Sequence, residues 1–200
     1  MLFESGALGP TGVSWQQALN GEIPGSSVDG QVFSGVRFEL TQATITSQIG
    51  GHFFSPSGGT FFGAIVKLED EHDFPNSDDL STPDVLGTTQ LTFPMPSNVA
   101  FGDLSVVLDP GWYALVFGSG LFGANGTGGM PLNNPDIGNP TYISFQPGSV
   151  TGWNDLSNPR WHDFRFVVVG NRVVPEPRSI VGIAFLSFLF AMCRHSKRLC

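Results

Sequence analysis

The feature that most constrains the fold is a repeated alternation of apolar and polar residues in short segments bounded by Gly, Pro, Asn and Asp. A period of two places successive side chains on opposite faces of a β-strand, whereas a helix needs apolar residues three and four apart. We predict strands over residues 32–40, 43–49, 60–68, 86–93, 104–108, 111–117, 141–146 and 164–169. The one segment with helical character, 13–19, is short. The pattern predicts a mainly β domain, an antiparallel β-sandwich of jelly-roll-like type.

The last 28 residues, 173–200, differ from this pattern. Pro175 and Pro177 disfavour a helix across their segment. The uncharged apolar run 180–193 that follows suits a single hydrophobic helix, but at 1.5 Å per residue it spans only about 21 Å. That is less than the roughly 30 Å hydrocarbon core of a bilayer. A basic end favours a membrane segment with the large N-terminal part outside, and a buried helix of a soluble domain is the alternative.

This tail resembles the PEP-CTERM sorting signal of bacteria, which combines a Pro-Glu-Pro motif, a short transmembrane helix and an Arg-rich end. Here the motif is Pro175-Glu176-Pro177, the helix is 180–193, and the basic residues are Arg194, Lys197 and Arg198 within 194–200. The resemblance implies recognition by an exosortase-like membrane enzyme and cleavage near the motif. It also implies an inner-membrane-anchored precursor that is delivered to the cell surface or extracellular matrix.

The tail divides the chain into an extracytoplasmic β-domain, 1–172, and a sorting segment, 173–200. An exported protein needs an N-terminal leader with a basic region and an apolar stretch. The chain begins Met1-Leu2-Phe3-Glu4 and shows neither. Either export uses another route or the leader lies upstream of Met1, and we expect the second.

The charge of the chain is distributed unevenly. Residues 1–174 carry sixteen acidic side chains against five Lys or Arg, a net charge of −11, while 175–200 are positive. Such a domain repels nucleic acid, so no nucleic-acid partner is expected. Both cysteines, Cys193 and Cys200, lie in the tail, so the domain must depend on its apolar core without a disulfide.

One loop concentrates carboxylates that could hold a cation. Its candidate calcium ligands are Glu69, Asp70, Asp73, Asp78 and Asp79. Calcium takes six to eight oxygen ligands, which such a loop can supply, but the spacing does not match an EF-hand. The alternative is a solvated acidic loop without a metal, and no other cofactor is expected.

Catalysis has little support in the sequence. The histidines are scattered, and the segments typical of serine hydrolases, zinc proteases and phosphate-binding loops are absent. A pair among Asp70, Asp73, Asp103 and Asp163 could cleave glycosides only if the fold placed two carboxylates about 5–9.5 Å apart. We therefore expect no enzymatic activity, with a glycoside hydrolase as the less favoured alternative.

Two tryptophans indicate where a ligand could bind. Trp153 and Trp161 flank a polar loop and could stack on sugar rings, or could instead pack at the end of the sandwich. Two long loops, 69–83 and 118–140, are further candidates for binding. The sequence predicts a noncatalytic, exported surface or matrix protein, and the alternative is a carbohydrate-binding module acting on exopolysaccharide.

Overall fold

The structure, a computed structural model, describes residues 1–146, 152–156 and 161–173. It contains thirteen strands and one short helix in these ranges. In chain order they are β1 Phe3–Glu4, α1 Trp15–Leu19, β2 Gly25–Val28, β3 Phe33–Leu40, β4 Thr44–Phe53, β5 Thr60–Leu68, β6 Val85–Thr92, β7 Asn98–Asp103, β8 Val107–Leu108, β9 Gly111–Gly118, β10 Gly128–Pro131, β11 Thr141–Phe145, β12 Trp153–Asp155 and β13 Phe166–Arg172.

The strands form two main antiparallel sheets. One has the order β1-β13-β4-β7, with β8 also paired to β4, and the other has the order β12-β11-β3-β9-β5-β6. Strands β2 and β10 pair with each other as a separate ribbon. The prediction of a mainly β chain with antiparallel sheets is confirmed, and the arrangement is consistent with a β-sandwich.

An inner core joins the two main sheets. Phe53 from the five-stranded sheet contacts Phe61 of the six-stranded sheet, with 4.4 Å between ring centroids. Phe117 likewise stacks on Phe166 across the interface at 5.5 Å. All four rings are fully buried. Aromatic pairs of this kind contribute to stability beyond the area that they bury, so the two sheets are held by direct interdigitation.

A second apolar cluster, called the outer apolar cluster below, covers the opposite face of the six-stranded sheet. Its buried members from the central strands are Phe33, Phe62, Ala64, Val66, Leu68, Ala114 and Val116. Loop residues pack over them, including Leu80 and Phe74 from one long loop and Ala124 and Leu121 from the other. Because β5 and β9 are buried on both faces, their sequences are nearly continuous apolar runs rather than strict alternations.

The observed strands depart from the predicted ones where glycine permits close packing. Strand β4 continues through Gly50-Gly51, which the sequence suggested as its end. A Cβ on Gly50 would lie 2.2 Å from the Ala100 carbonyl oxygen, and one on Gly51 would lie 2.3 Å from that of Arg165. These glycines therefore allow neighbouring strands to approach, instead of making a turn.

Five strands were not predicted: β1, β2, β7, β10 and β12. The predicted strand 104–108 shrinks to β8, and β7 precedes it as a six-residue edge strand beside β4. Helix α1 covers only part of the predicted segment 13–19, and its N-cap is Ser14. Short edge strands have weak sequence signals because one side of their backbone and often one face remain solvated.

The sorting segment lies almost wholly outside the described residues. This holds for the motif Pro175-Glu176-Pro177, the predicted helix 180–193 and the basic residues Arg194, Lys197 and Arg198. In the part of the chain that the structure describes, no helix has the length and apolar character needed to cross a membrane.

Candidate functional site

Carboxylates of the acidic loop bind the loop's own backbone. Asp70 Oδ1 accepts hydrogen bonds from the backbone N–H groups of His72 and Asp73, at 2.7 and 3.1 Å. Asp73 Oδ2 accepts one from the Glu69 N–H at 2.8 Å. Such short-range bonds are typical of Asx turns. They explain the density of Asp in this loop without a metal.

Asp79, in the same loop, has a similar local role. Its Oδ1 accepts hydrogen bonds from both the hydroxyl and the backbone N–H of Ser81, at 2.6 and 3.1 Å. These bonds stabilise the ionised form and lower the pKa of the Asp79 carboxyl. Both Asp78 and Asp79 are exposed to solvent.

A buried arginine anchors the acidic loop to the sheet. Arg37 on β3 donates from Nε to the Asp73 carbonyl at 2.8 Å and from Nη2 to the His72 carbonyl at 3.1 Å. Its Nη1 pairs with Asp155 Oδ2 at 2.9 Å, and the guanidinium lies 4.4 Å from the centre of the Phe74 ring. The Arg37 side chain is fully buried. The loop is therefore a fixed cover over the outer apolar cluster.

The predicted calcium ligands do not gather around a common point. Glu69, Asp70, Asp73, Asp78 and Asp79 form no group of three with ligand atoms within 4.8 Å of one another, judged over the described residues. Calcium needs six or more oxygens. The geometry therefore does not favour the calcium hypothesis at this loop.

We expect millimolar Ca²⁺ to leave the thermal midpoint of unfolding unchanged. A ligand that binds only the folded state raises the midpoint, and the stabilisation grows with the logarithm of the ligand concentration once that concentration exceeds Kd. Differential scanning fluorimetry with added Ca²⁺ and with EDTA measures this directly, and Mg²⁺ controls for ionic strength. A rise with Ca²⁺ that Asp70→Asn abolishes would restore the calcium hypothesis.

Asp136, His162 and Asp163 do come together, with one ligand atom from each within 4.8 Å of the others. The His162 Nδ1 lies 2.7 Å from Asp163 Oδ2. Asp136 Oδ1 accepts hydrogen bonds from the Tyr142 hydroxyl at 2.6 Å and from the Asp163 N–H at 2.9 Å. These three residues offer the donor types of a metal centre, but their mutual bonds already account for their arrangement.

A buried Ser-His-Asn arrangement that the sequence did not suggest lies beside β4. The His52 Nε2 is 3.1 Å from Ser97 Oγ, and its Nδ1 is 2.8 Å from Asn134 Oδ1. This is the order of groups found in a nucleophile, base and orienting residue. His52 and Asn134 are fully buried, Ser97 is 2% exposed, and Ser97 Oγ also accepts the Val13 N–H. A substrate cannot reach this hydroxyl, so the arrangement is structural.

The surroundings of His52 favour its neutral form. Burial lowers the pKa of His52, and the positive charge of Arg165 lowers it further, whereas the bond to Asn134 acts in the opposite direction. Arg165 is itself buried and donates from Nε and Nη2 to Glu4 Oε1, at 2.8 and 2.7 Å. The network ties the N-terminal segment to β4 and to the start of β13.

The structure separates the two tryptophans that were predicted to contact carbohydrate. Trp153 on β12 belongs to the outer apolar cluster, where its ring lies 5.3 Å from that of Phe145. Its Nε1 donates to the Ser77 carbonyl at 3.4 Å. Trp161 is 39% exposed. Trp153 therefore follows the packing alternative, because it covers the six-stranded sheet, and Trp161 is the one of the two that remains exposed as a candidate sugar contact.

Trp161 lines a cleft of about 530 Å³ near the β11–β12 edge of the six-stranded sheet. The apolar lining side chains besides Trp161 are Val32 and Leu156. The polar lining side chains are Ser26, Ser27, Ser144, Gln146 and Asn154. None of the described lining residues carries a charge.

The cleft forms where one sheet face changes from apolar to polar. Tyr142, Ser144 and Gln146 alternate along β11 and its extension, so they share a face. Tyr142 is covered by Phe164 and Phe166, with ring centroids at 4.9 and 5.9 Å. Ser144 and Gln146 instead line the cleft. The alternation of side chains was visible in the sequence of segment 141–146. Which of them lie in the core and which line a cleft is shown only by the residues packed opposite them.

Comparisons with protein-family models and with curated proteins find no match to this chain. The functional argument therefore depends on the geometry of the domain and on the sequence of the tail.

Proposed function

We propose that this chain is a noncatalytic surface or extracellular-matrix protein, exported as an inner-membrane-anchored precursor and processed at its tail by an exosortase-like membrane enzyme. The noncatalytic assignment is based on the chemistry of the cleft that Trp161 lines. The described residues of the cleft include no side chain that could act as a general acid or base. The nucleophile-like Ser97 is buried with its histidine.

The proposal includes a jelly-roll-like architecture for the β-domain. The strand orders support it, because β1-β13-β4-β7 face β3-β9-β5-β6 and all the pairs within each set are antiparallel. Successive strands from β3 to β5 alternate between the sheets, as in two interlocked Greek keys. In this scheme β11 and β12 extend the second sheet at its β3 edge and carry the cleft.

The sorting part of the proposal predicts a size change. Replacing Pro175-Glu176-Pro177 with three alanines should leave a longer, membrane-retained protein in a host that contains an exosortase, because the processing motif is lost. Immunoblots of membrane and released fractions, with an epitope in the domain, measure length and location. Arg178→Ala is a matched control, since it changes the next residue and keeps the motif intact. Normal length and release of the triple-alanine variant would refute the sorting proposal.

A second candidate function, carbohydrate binding to exopolysaccharide, is favoured by the uncharged cleft with its exposed Trp161. Carbohydrate sites combine aromatic faces with hydroxyl and amide groups, and this cleft offers both. It is distinguished from a hydrolase by product analysis, because a binding module leaves the polysaccharide chain length unchanged. The glycoside hydrolase alternative has the least support. The described lining residues of this cleft include no carboxylate. A second cleft is lined by Glu69, Asp73 and Asp84, but its Asp73 carboxylate accepts hydrogen bonds from the backbone N–H groups of Glu69 and Phe74.

A further inference from the structure

The polar side chains of the cleft lie at positions that a sandwich would otherwise fill with apolar residues. Ser144 pairs directly with Asn154 across β11 and β12, and both side chains line the cleft. Their neighbours Ile143, Phe145 and Trp153 belong to the outer apolar cluster on the other face. Inward-facing positions of a sandwich are usually apolar, so polar side chains there depart from the usual pattern. Such departures concentrate at functional sites.

The opposite side of the cleft is also polar. Ser26 and Ser27 of β2 line it, and β2 pairs only with β10. Ser34 Oγ on β3 donates to the Ser27 carbonyl at 3.2 Å, which ties the ribbon to the six-stranded sheet. Hydroxyl and amide groups can both donate and accept hydrogen bonds. The cleft is therefore suited to a ligand that itself presents many hydroxyl groups.

An aromatic ring completes this chemistry. Trp161 keeps 39% of its surface exposed while lining the cleft. Exposed tryptophan combines a large apolar face with an N–H donor. The C–H groups on one face of a pyranose ring match such an apolar face, and its hydroxyls match the serine and amide groups around it.

Charge restricts the ligand further. The described lining residues include no cation that could pair with a carboxylate or a sulfate. Residues 1–174 carry a net charge of −11, which repels polyanions over a distance set by ionic strength. Uronic-acid and sulfated polysaccharides are therefore disfavoured relative to neutral ones.

We propose that the cleft between β2 and the β11–β12 edge binds an uncharged polysaccharide chain, with one sugar ring stacked on Trp161 and its hydroxyls bonded to the serine and amide side chains. This inference rests on the noncatalytic binding role proposed above and specifies its ligand class. It does not depend on the sorting signal, because the two parts occupy different segments of the chain.

The test measures binding of the full chain to cellohexaose, maltohexaose and xylohexaose as neutral probes and to an oligouronate of similar length. The protein is kept in a detergent without a sugar headgroup, so that detergent does not compete for the cleft. Titrations monitored by tryptophan fluorescence and by calorimetry should show binding of at least one neutral probe. The oligouronate should show little or no binding at low salt. Neither the neutral probes nor the oligouronate should be shortened.

Variants locate the binding in the cleft. Trp161→Ala should weaken it at least about tenfold, as expected for a central aromatic contact, while Trp161→Phe should retain part of the affinity. Asn154→Ala should also weaken it. Phe122→Ala is a control, because Phe122 is 40% exposed but is not among the residues that line the cleft. Thermal unfolding of each variant shows that it is folded.

Two outcomes would overturn the inference. The first is that no neutral probe binds to the folded protein, and the second is that binding persists unchanged in Trp161→Ala and Asn154→Ala. Equal or tighter binding of the oligouronate would overturn the assignment of an uncharged ligand. If no glycan binds but the tail is processed normally, the carbohydrate inference fails and the sorting proposal stands. If glycan binds but the tail is not processed, the sorting proposal fails and the carbohydrate inference stands.

Discussion

Arg37→Ala is expected to destabilise the domain by about 2–4 kcal/mol, because it removes a fully buried side chain together with its hydrogen bonds. The change leaves the carbonyls of His72 and Asp73 without their donors and removes the guanidinium from the Phe74 ring. Hydrogen bonds to a charged group contribute about 1.5–3 kcal/mol each. Urea unfolding followed by tryptophan fluorescence measures the loss.

Asp155→Asn is the matched control for this substitution. It changes the ionic partner of Arg37 but keeps a side chain that can accept a hydrogen bond, and Asp155 is 41% exposed in its side chain. The asparagine oxygen can still accept from Arg37 Nη1, and the half-exposed carboxylate charge that is lost is screened by water, so the loss should be smaller than that of Arg37→Ala, about 1 kcal/mol. The loop 69–83 should also become sensitive to protease in Arg37→Ala. An Arg37→Ala variant as stable as Asp155→Asn would show that the arginine does not anchor the loop.

The second large effect concerns pH and His52. His52→Gln should cost about 2–4 kcal/mol at neutral pH, because it disturbs buried bonds to Ser97 and Asn134. In the folded protein Nδ1 donates to Asn134 and Nε2 accepts from Ser97, which suits a neutral ring. A proton on Nε2 would remove the acceptor of the Ser97 hydroxyl hydrogen.

The sign of the pH dependence follows from the lowered pKa of His52. The unfolded imidazole takes up its proton near pH 6.5, whereas the folded one does so only at lower pH. The stabilising contribution is therefore complete above pH 6.5 and is lost as the pH falls from 6.5 toward the folded pKa.

The measurement compares the wild type with His52→Gln from pH 8 to pH 5 by urea unfolding. Acid titration of the carboxylates affects both proteins, so the difference between their unfolding free energies isolates His52. That difference should be largest above pH 6.5 and should shrink below it. His72→Gln is the control, since His72 is 84% exposed in its side chain and should change stability by less than about 0.5 kcal/mol. A difference independent of pH would rule out this role for His52.

The sequence predicted the long central strands well. Strand β5 has the predicted bounds Thr60–Leu68, and β9 extends the predicted segment by one residue. These strands are dense in branched and aromatic residues and are flanked by clear turn residues, so local preference and burial agree. The ribbon of β2 and β10 escaped prediction because each strand pairs with residues about a hundred positions away.

The candidate sites were harder to predict, because a side chain's role depends on what lies opposite it. The acidic loop resembled a cation site until its carboxylates were found bonded to the loop's own backbone. Trp153 and Trp161 are equivalent in the sequence, yet one is buried under a loop and the other lines the cleft. Whether a side chain is buried depends on how distant segments pack, and the local pattern of apolar and polar residues does not show it.

By itself, the sequence determined the β-rich nature of the domain, its acidity, its lack of a disulfide and the order of segments in the tail, because these follow from composition and local periodicity. Only the tertiary structure decided that a Ser-His-Asn arrangement is buried, that Arg37 holds the acidic loop, and that Ser144, Asn154 and Trp161 share one cleft. Each of these depends on contacts between residues far apart in the chain, whose positions are set by the pairing of strands and the packing of sheets.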